Sequence, residues 1–258
     1  MNKELVLENE RIDDLEINGF RIIQNPFYFC FGMDSVLLSH FANIRSNVDV
    51  IDLGTGTGII PLLLAAKGKG KSWTGVELQK DIADMARRST ILNEVEDTDP
   101  QELFPAAGKI RIIPEDVKNL KKIYPHGCVG AVTSNPPYMK EKTGIKNPSD
   151  TKYIARHEAT LKLEELISTA AYLLKSRGSF FMVHRPSRLP EIIELMCRYH
   201  LEPKRLQMVQ PYIDKEPNMV LIEGVKEAGR ELRNLPALIV YKENGEYTDE
   251  ILRIYNKL

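Results

Sequence analysis

Cysteine is scarce: Cys30, Cys128 and Cys197 are the only three in 258 residues. An odd, widely spaced set supplies neither a disulfide framework nor the paired spacing of a zinc site, so a metal-free protein is expected. Long apolar runs are also missing. The stretch from Val48 to Ala66 is interrupted by Asp49, Asp52 and a glycine-rich turn, and cannot cross a bilayer as one helix. The opening MNKELVLENERIDD contains no apolar segment on which a secretory signal is built, and a cytoplasmic protein without membrane contact is expected. Charge of one sign is absent: Lys and Arg number 35, Asp and Glu 36, for a net charge of -1. Without a global excess, any polyanionic partner has to be held by a local patch. The single tryptophan, Trp73, and the methionines read as core. Internal repeats, low-complexity tracts and clear linkers are lacking too.

What is present is ordinary globular usage, 43% hydrophobic and 28% charged, enough for one large α/β domain with a small appendage. Near the start, Leu15 and Ile17 precede Asn18-Gly19, and Phe20, Ile22 and Ile23 follow. Asn-Gly between alternating apolar residues predicts a hairpin. From Asp34, placed as an N-cap, SVLLSHFANI has helical spacing. Residues 1–46 therefore read as an extension packed on a main domain of residues 47–258.

In that domain, strand and helix patterns alternate. VDVIDLG leads to IIPLLLAAKGKG, SWTGVEL to KDIADMARRSTILNEV, and KIRIIPED and CVGAVTSNPPY follow as strands. LKLEELISTAAYLLK is a helix, GSFFMVHR a strand, and PEIIELMCRYH a helix with Pro190 in its first turn. RLQMVQPY, MVLIEGVK and ALIVYKENGEYTDEIL read as strands ending in a hairpin around Asn244-Gly245 and a short helix. Such alternation predicts a doubly wound, mostly parallel sheet covered by helices on both faces.

Two loops carry chemistry. Asp52-Leu53-Gly54-Thr55-Gly56-Thr57-Gly58 ends the first core strand, where open α/β sheets bind ligands. Glycines there let backbone approach a ligand closely. Glu77 ends the next strand, nineteen residues beyond Gly58, where an acid accepts from both hydroxyls of a ribose. The dinucleotide fingerprint requires its third glycine one residue later, and position 59 is Ile. An acid two residues before Gly54 is a poor neighbour for a pyrophosphate and suits the ammonium of a methionine-like group, directly or through water. Asp116, just past the third strand, suits an adenine amino group and equally a helix N-cap.

The second loop is Asn135-Pro136-Pro137-Tyr138. Two prolines remove two donors and stiffen the backbone, leaving an acceptor-only corner. An amine conjugated to a ring or carbonyl is a weak nucleophile. Accepted by the Asn135 side-chain oxygen and the Pro136 carbonyl, its lone pair turns toward an electrophile without a strong base. Tyr138 offers a face for a planar group.

With DLGTGTG, Glu77, Asp116 and NPPY at these places, the sequence resembles the class I S-adenosylmethionine-dependent methyltransferases, whose sheet is seven-stranded and Rossmann-like. NPPY resembles those acting on adenine N6, cytosine N4 or glutamine N5. FGMDSVLLSHFA (31–42) and ARHEATLKLEELI (155–167) look like the bacterial family that methylates N6 of adenine 37, beside the anticodon, in a valine tRNA. The resemblance implies that Asp52, Gly54, Thr55, Gly56 and Gly58 hold the methionine end of the cofactor, Glu77 its ribose and Asp116 its adenine. Asn135, Pro136 and Tyr138 would hold the target amine, and Gly32, Met33 and Asp34 would close the cofactor pocket. The implied reaction is in-line methyl transfer from the sulfonium to an exocyclic adenine amine, giving N6-methyladenosine in an already partly unstacked RNA loop.

Just after NPPY, Lys140, Lys142, Lys146, Lys152 and Arg156 face only Glu141 and Asp150, a basic loop suited to phosphates or simply to solvent. Arg185, Arg188, Lys204 and Arg205 extend this reading, whereas His157 reads as a satisfied structural histidine. A protein glutamine N5-methyltransferase, an rRNA adenine N6-methyltransferase and a non-catalytic RNA-binding module remain alternatives. No residue pattern sets an oligomeric state.

Overall fold

The computed structural model describes residues 5–28, 30–99, 101–137 and 161–258. Tyr138, the basic residues Lys140, Lys142, Lys146, Lys152 and Arg156, and His157 lie outside them.

A hairpin of β1 (Arg11–Asp14) and β2 (Arg21–Gln24) comes first, then α1 (Met33–Phe41). The βα alternation follows: β3 (Asp49–Leu53), α2 (Ile59–Ala66), β4 (Ser72–Glu77), α3 (Lys80–Leu92), β5 (Ile110–Pro114), α4 (Leu120–Ile123) and β6 (Val129–Ser134). After the undescribed segment come α5 (Leu163–Leu173), β7 (Leu174–His184), α6 (Leu189–Arg198), β8 (Leu201–Gln210) and β9 (Met219–Lys226). The tail holds β10 (Arg233–Asn234), β11 (Leu238–Ile239) and α7 (Asp249–Ile254).

The main sheet runs β10-β8-β9-β7-β6-β3-β4-β5, with β11 also along β8. Seven strands are of ordinary length, and the two-residue β10 and β11 only extend its edge. Pairing is parallel from β5 to β7, and β9 runs antiparallel to both β7 and β8. Between β3 and β6 the chain order reverses, opening the crevice in which such sheets hold ligands. Side-chain alternation divides the core: Val50, Ala131 and Phe181 pack on the face of α1 and α2. Ile51, Val132 and Phe180 pack on the face of α5 and α6. Every residue of β4 is buried, as a parallel strand covered on both faces requires.

Asn18 and Gly19 take φ of 48° and 73°, and Phe20 N–H donates to Ile17 O at 2.9 Å, the tight turn expected of Asn-Gly. The hairpin docks on α3: Ile23 N–H donates to Ser89 Oγ at 3.0 Å and Arg21 N–H to Asn93 Oδ1 at 2.8 Å. A buried ion pair, Arg88 with Glu10 at 2.5 Å, ties the chain ahead of β1 to the same helix.

Three local expectations are corrected. Helix α1 begins one residue before Asp34, with Gly32 as N-cap, and Asp34 lies in its first turn. Helix α5 stops at Leu173 and β7 starts at once, because Gly127 and Cys128 N–H groups bond to the Tyr172 and Leu173 carbonyls and pull that backbone to the sheet. Arg205 is committed to the fold, since it pairs with Glu223, donates to Phe41 O at 2.9 Å and lies 4.5 Å from the Phe41 ring centre. Among the other cations, Arg188 pairs with Glu191 at 2.7 Å and Lys204 reaches Gly229 O at 3.1 Å.

Candidate active site

At the carboxyl ends of β3, β4 and β6 lies a cavity of about 480 Å³, within the size range of small-molecule sites. Its floor is the glycine turn. Gly54 and Thr55 N–H groups donate to Val76 O at 3.0 and 2.9 Å, stapling the turn to β4. Gly54 and Gly56 have φ of 70° and 57°, and a Cβ on either would meet no atom of the described residues within 4 Å beyond its own chain neighbours. The backbone there faces open space at positions where side chains are disfavoured.

Glu77 holds the turn from the side. Its Oε2 accepts the Gly56 N–H at 3.0 Å and its Oε1 the Gln79 N–H at 2.9 Å. A carboxylate has about four acceptor positions, so two remain for hydroxyls in the cavity. Asp116 lines the same wall and also caps the short turn after β5, accepting the Lys118 N–H at 2.9 Å. The two roles are compatible.

Asp52 and Gly58 stand behind this wall. Gly58, at φ 81°, is the N-cap of α2 and packs against α3, where an added Cβ would lie 3.3 Å from Ala86 Cβ. Asp52 is buried within the fully covered sheet, where Thr133 Oγ1 donates to its Oδ1 at 2.6 Å. Burial pushes its carboxyl up to about 7; the Thr133 bond works against that shift and the nearby Glu77 charge adds to it. Between the ordinary value of 3.8 and about 7 the folded state keeps a proton that the unfolded chain has released. Stability therefore falls as pH rises through that window. Asp52→Asn should raise the melting temperature of the ligand-free protein by a few degrees at pH 8 and leave it unchanged at pH 4. Thermal melts at both pH values check this, and an equal shift at both would remove ionisation as the cause.

The opposite wall is the end of β6 and the start of α1. Ser134 Oγ donates to Leu53 O at 2.8 Å, so the Asn-Pro-Pro loop leaves the sheet tied to the base of the glycine turn. Asn135, Pro136 and Pro137 line the cavity, as do Met33 and Asp34. Asn135 Nδ2 donates to Ser35 Oγ at 3.1 Å, which leaves the amide oxygen as its uncommitted end among the described residues.

Ser35, Arg185 and Asn218 also line this side and were not singled out as site residues from the sequence, although Arg185 was read as part of a cationic surface. Arg185 follows β7, where His184 Nδ1 accepts its backbone N–H at 2.8 Å and its guanidinium donates to Asn218 O at 2.9 Å. Burial brings the His184 imidazole down to about 4, with the Arg188 charge contributing, so this histidine is neutral near pH 7. Ser35 lies within FGMDSVLLSHFA on α1, whereas no local signal marks Arg185 and Asn218, which the order β6-β7-β9 brings together.

Charge is divided across the cavity. Asp34, Glu77 and Asp116 are its acids, and Arg185, beyond Asn135, is its one cation among the described residues. No histidine or lysine lines it among those residues. The glycine cradle, the paired acceptors of Glu77 and the carboxylates fit S-adenosylmethionine, a nucleoside carrying a cationic amino-acid tail, and the described residues contain no cluster able to hold a metal.

Comparison with known proteins agrees with this fold. The crystal structure of a predicted O-methyltransferase from Agrobacterium tumefaciens superposes with a TM-score of 0.67 at 22% identity, covering 87% of this chain and 96% of that one. A Porphyromonas gingivalis protein named tRNA1(Val) (adenine(37)-N6)-methyltransferase is 28% identical over 251 residues, 94% of this chain and 93% of its own. One of the same name from Photobacterium profundum is 24% identical, over 86% of this chain and 87% of its own. The model of the methyltransferase small domain family matches residues 32–197, from the glycine before α1 into the last turn of α6, and so takes in the glycine turn, Glu77, Asp116 and Asn135. The chain belongs to the methyltransferase small domain family.

Proposed function

We propose that this protein methylates N6 of an adenine in tRNA, adenine 37 in the anticodon loop of a valine tRNA, with S-adenosylmethionine as methyl donor. The observation that carries the reaction is the placement of Asn135 and the donor-free Pro136-Pro137 backbone across the cavity from Glu77 and the glycine turn. The relatives named above support the choice of tRNA.

The cofactor supplies a methyl group on a sulfonium. The chain supplies position. Gly54 and Gly56 admit the amino-acid end, Glu77 accepts the ribose hydroxyls and Asp116 the adenine amino group. On the opposite wall, Asn135 Oδ1 and the Pro136 carbonyl accept the two N–H bonds of the target amine and aim its lone pair into the cavity. The alkylated amine is acidic enough to lose its proton to water, so the lack of a lining histidine or lysine among the described residues is no obstacle. Arg185, on the amine side, suits the phosphate of an extruded nucleotide, and the acids suit the cationic cofactor. An anticodon-loop base is already partly unstacked, which lowers the energy needed to bring it in. Asp52 acts from beneath the turn, where its carboxyl accepts the Thr133 hydroxyl and ties β3 to β6.

The test is transfer of labelled methyl from S-adenosylmethionine to total bacterial tRNA lacking the modification, followed by nucleoside analysis. Label in N6-methyladenosine mapping to position 37 is the expected result. Label found only in ribosomal RNA or in a protein glutamine would overturn the substrate while keeping the chemistry of the acceptor corner.

A further inference from the structure

The start of α1 is organised by contacts that end on Asn135. A Cβ on Gly32 would come within 3.0 Å of Asp34 Oδ1, so glycine leaves room for that carboxylate to accept the Ser35 backbone N–H at 2.9 Å. This places Ser35, only 3% exposed, with its hydroxyl oxygen 3.1 Å from Asn135 Nδ2, across one hundred residues of sequence.

A primary carboxamide has a donor end and an acceptor end of nearly equal shape. Toward an amine only the acceptor end is useful, since a flipped amide would oppose N–H to N–H. Pro136 and Pro137 have no N–H that could engage the Asn135 amide oxygen, so they leave Oδ1 open to an amine. The nitrogen end is held from a neighbouring element, α1, where the Ser35 hydroxyl accepts from it.

We infer that Ser35 is a positioning residue for the methyl acceptor: its hydroxyl holds the nitrogen end of the Asn135 carboxamide and so aims Oδ1 at the target amine. The inference rests on the reading of Asn135 as an amine acceptor. It gives the segment ahead of the glycine strand a part in the chemistry, through orientation of the group that meets the substrate.

The full chain is assayed with tRNA lacking the modification. Ser35→Ala and the near-isosteric Ser35→Cys are expected to lower kcat roughly ten- to hundredfold, as displacement of a positioned group does. KM for tRNA and Kd for S-adenosylmethionine should stay within about threefold of wild type. In an Asn135→Ala background, adding Ser35→Ala should cost less than about twofold, because the two residues act as one unit. Equal losses in both backgrounds would show that Ser35 serves only the fold, and would overturn the inference.

A second readout needs no activity. In ¹H–¹⁵N spectra the wild-type Asn135 side-chain amide should show one shifted, slowly exchanging proton that is lost in Ser35→Ala. An amide signal unchanged by that substitution overturns the inference even if tRNA proves to be the substrate. Its loss, together with a wild-type enzyme that leaves tRNA unlabelled, would keep the positioning role and remove only the substrate.

Discussion

Asn135→Ala should lower kcat for methyl transfer by roughly a hundred- to a thousandfold, the range seen when one preorganised polar contact at a reacting centre is removed. Kd for S-adenosylmethionine should stay within about threefold of wild type, because the groups assigned to the cofactor stand on β3, β4, the turn after β5 and, with Met33 and Asp34, the start of α1, whereas Asn135 leaves β6. The target amine would keep the Pro136 carbonyl but lose the second acceptor. With one N–H unpaired, its nitrogen stays closer to planar and its lone pair remains in the ring. The fold should be little affected, since β6 is tied to β3 by Thr133 and Ser134 independently of the Asn135 side chain. Single-turnover transfer, calorimetric titration of the cofactor and a thermal melt separate these effects. Loss of cofactor binding comparable to the loss of rate would show that Asn135 belongs to the other half of the site.

Glu77→Gln should produce the opposite split. Both carboxylate oxygens already accept a backbone N–H, from Gly56 at 3.0 Å and Gln79 at 2.9 Å, in a residue only 5% exposed. Glutamine has one oxygen, so its NH2 must meet one of those donors head-on. The unsatisfied buried donor, costing about 1–3 kcal/mol, is present without ligand and falls on the stability of the fold, whereas a lost charge-assisted bond to the ligand, about 1.5–3 kcal/mol, falls on binding. Kd for S-adenosylmethionine should therefore rise roughly ten- to hundredfold, a factor of ten for each 1.4 kcal/mol. At saturating cofactor, kcat should remain within about threefold of wild type, because the amine side is untouched. A Kd within threefold of wild type, measured by calorimetry, would sink the assignment of Glu77 to the ribose. Together the two variants divide the cavity into a half that binds and a half that aligns.

The features legible in the sequence are those in which neighbours along the chain settle the geometry. Asn18-Gly19 forms a turn because those two residues tolerate positive φ, wherever the hairpin later docks. Gly54 and Gly56 mark a backbone floor for the same reason, and Glu77 follows at the end of the next strand because a βα unit has a nearly fixed length. Helix boundaries were less legible. Asp34 looked like a cap, yet the helix starts at Met33, since room beside Gly32 lets the Asp34 carboxylate bond to the next N–H. That room shows only in three dimensions.

The sequence by itself determined the alternation of strands and helices, the division of apolar residues between two core faces, and the chemistry at the ends of β3, β4 and β6. These follow from short-range sterics and from the periods of 2 and 3.6 residues, which the chain carries locally. Only the tertiary structure decided which distant groups meet there. It set Asp52 behind the cavity under the Thr133 hydroxyl, made Gly58 a packing contact with α3, brought Arg185 and Asn218 to the amine side through the β6-β7-β9 pairing, and placed Ser35 against Asn135. The physical reason is that strand order and helix docking are chosen by burial summed over the whole core, a quantity that no window of sequence contains.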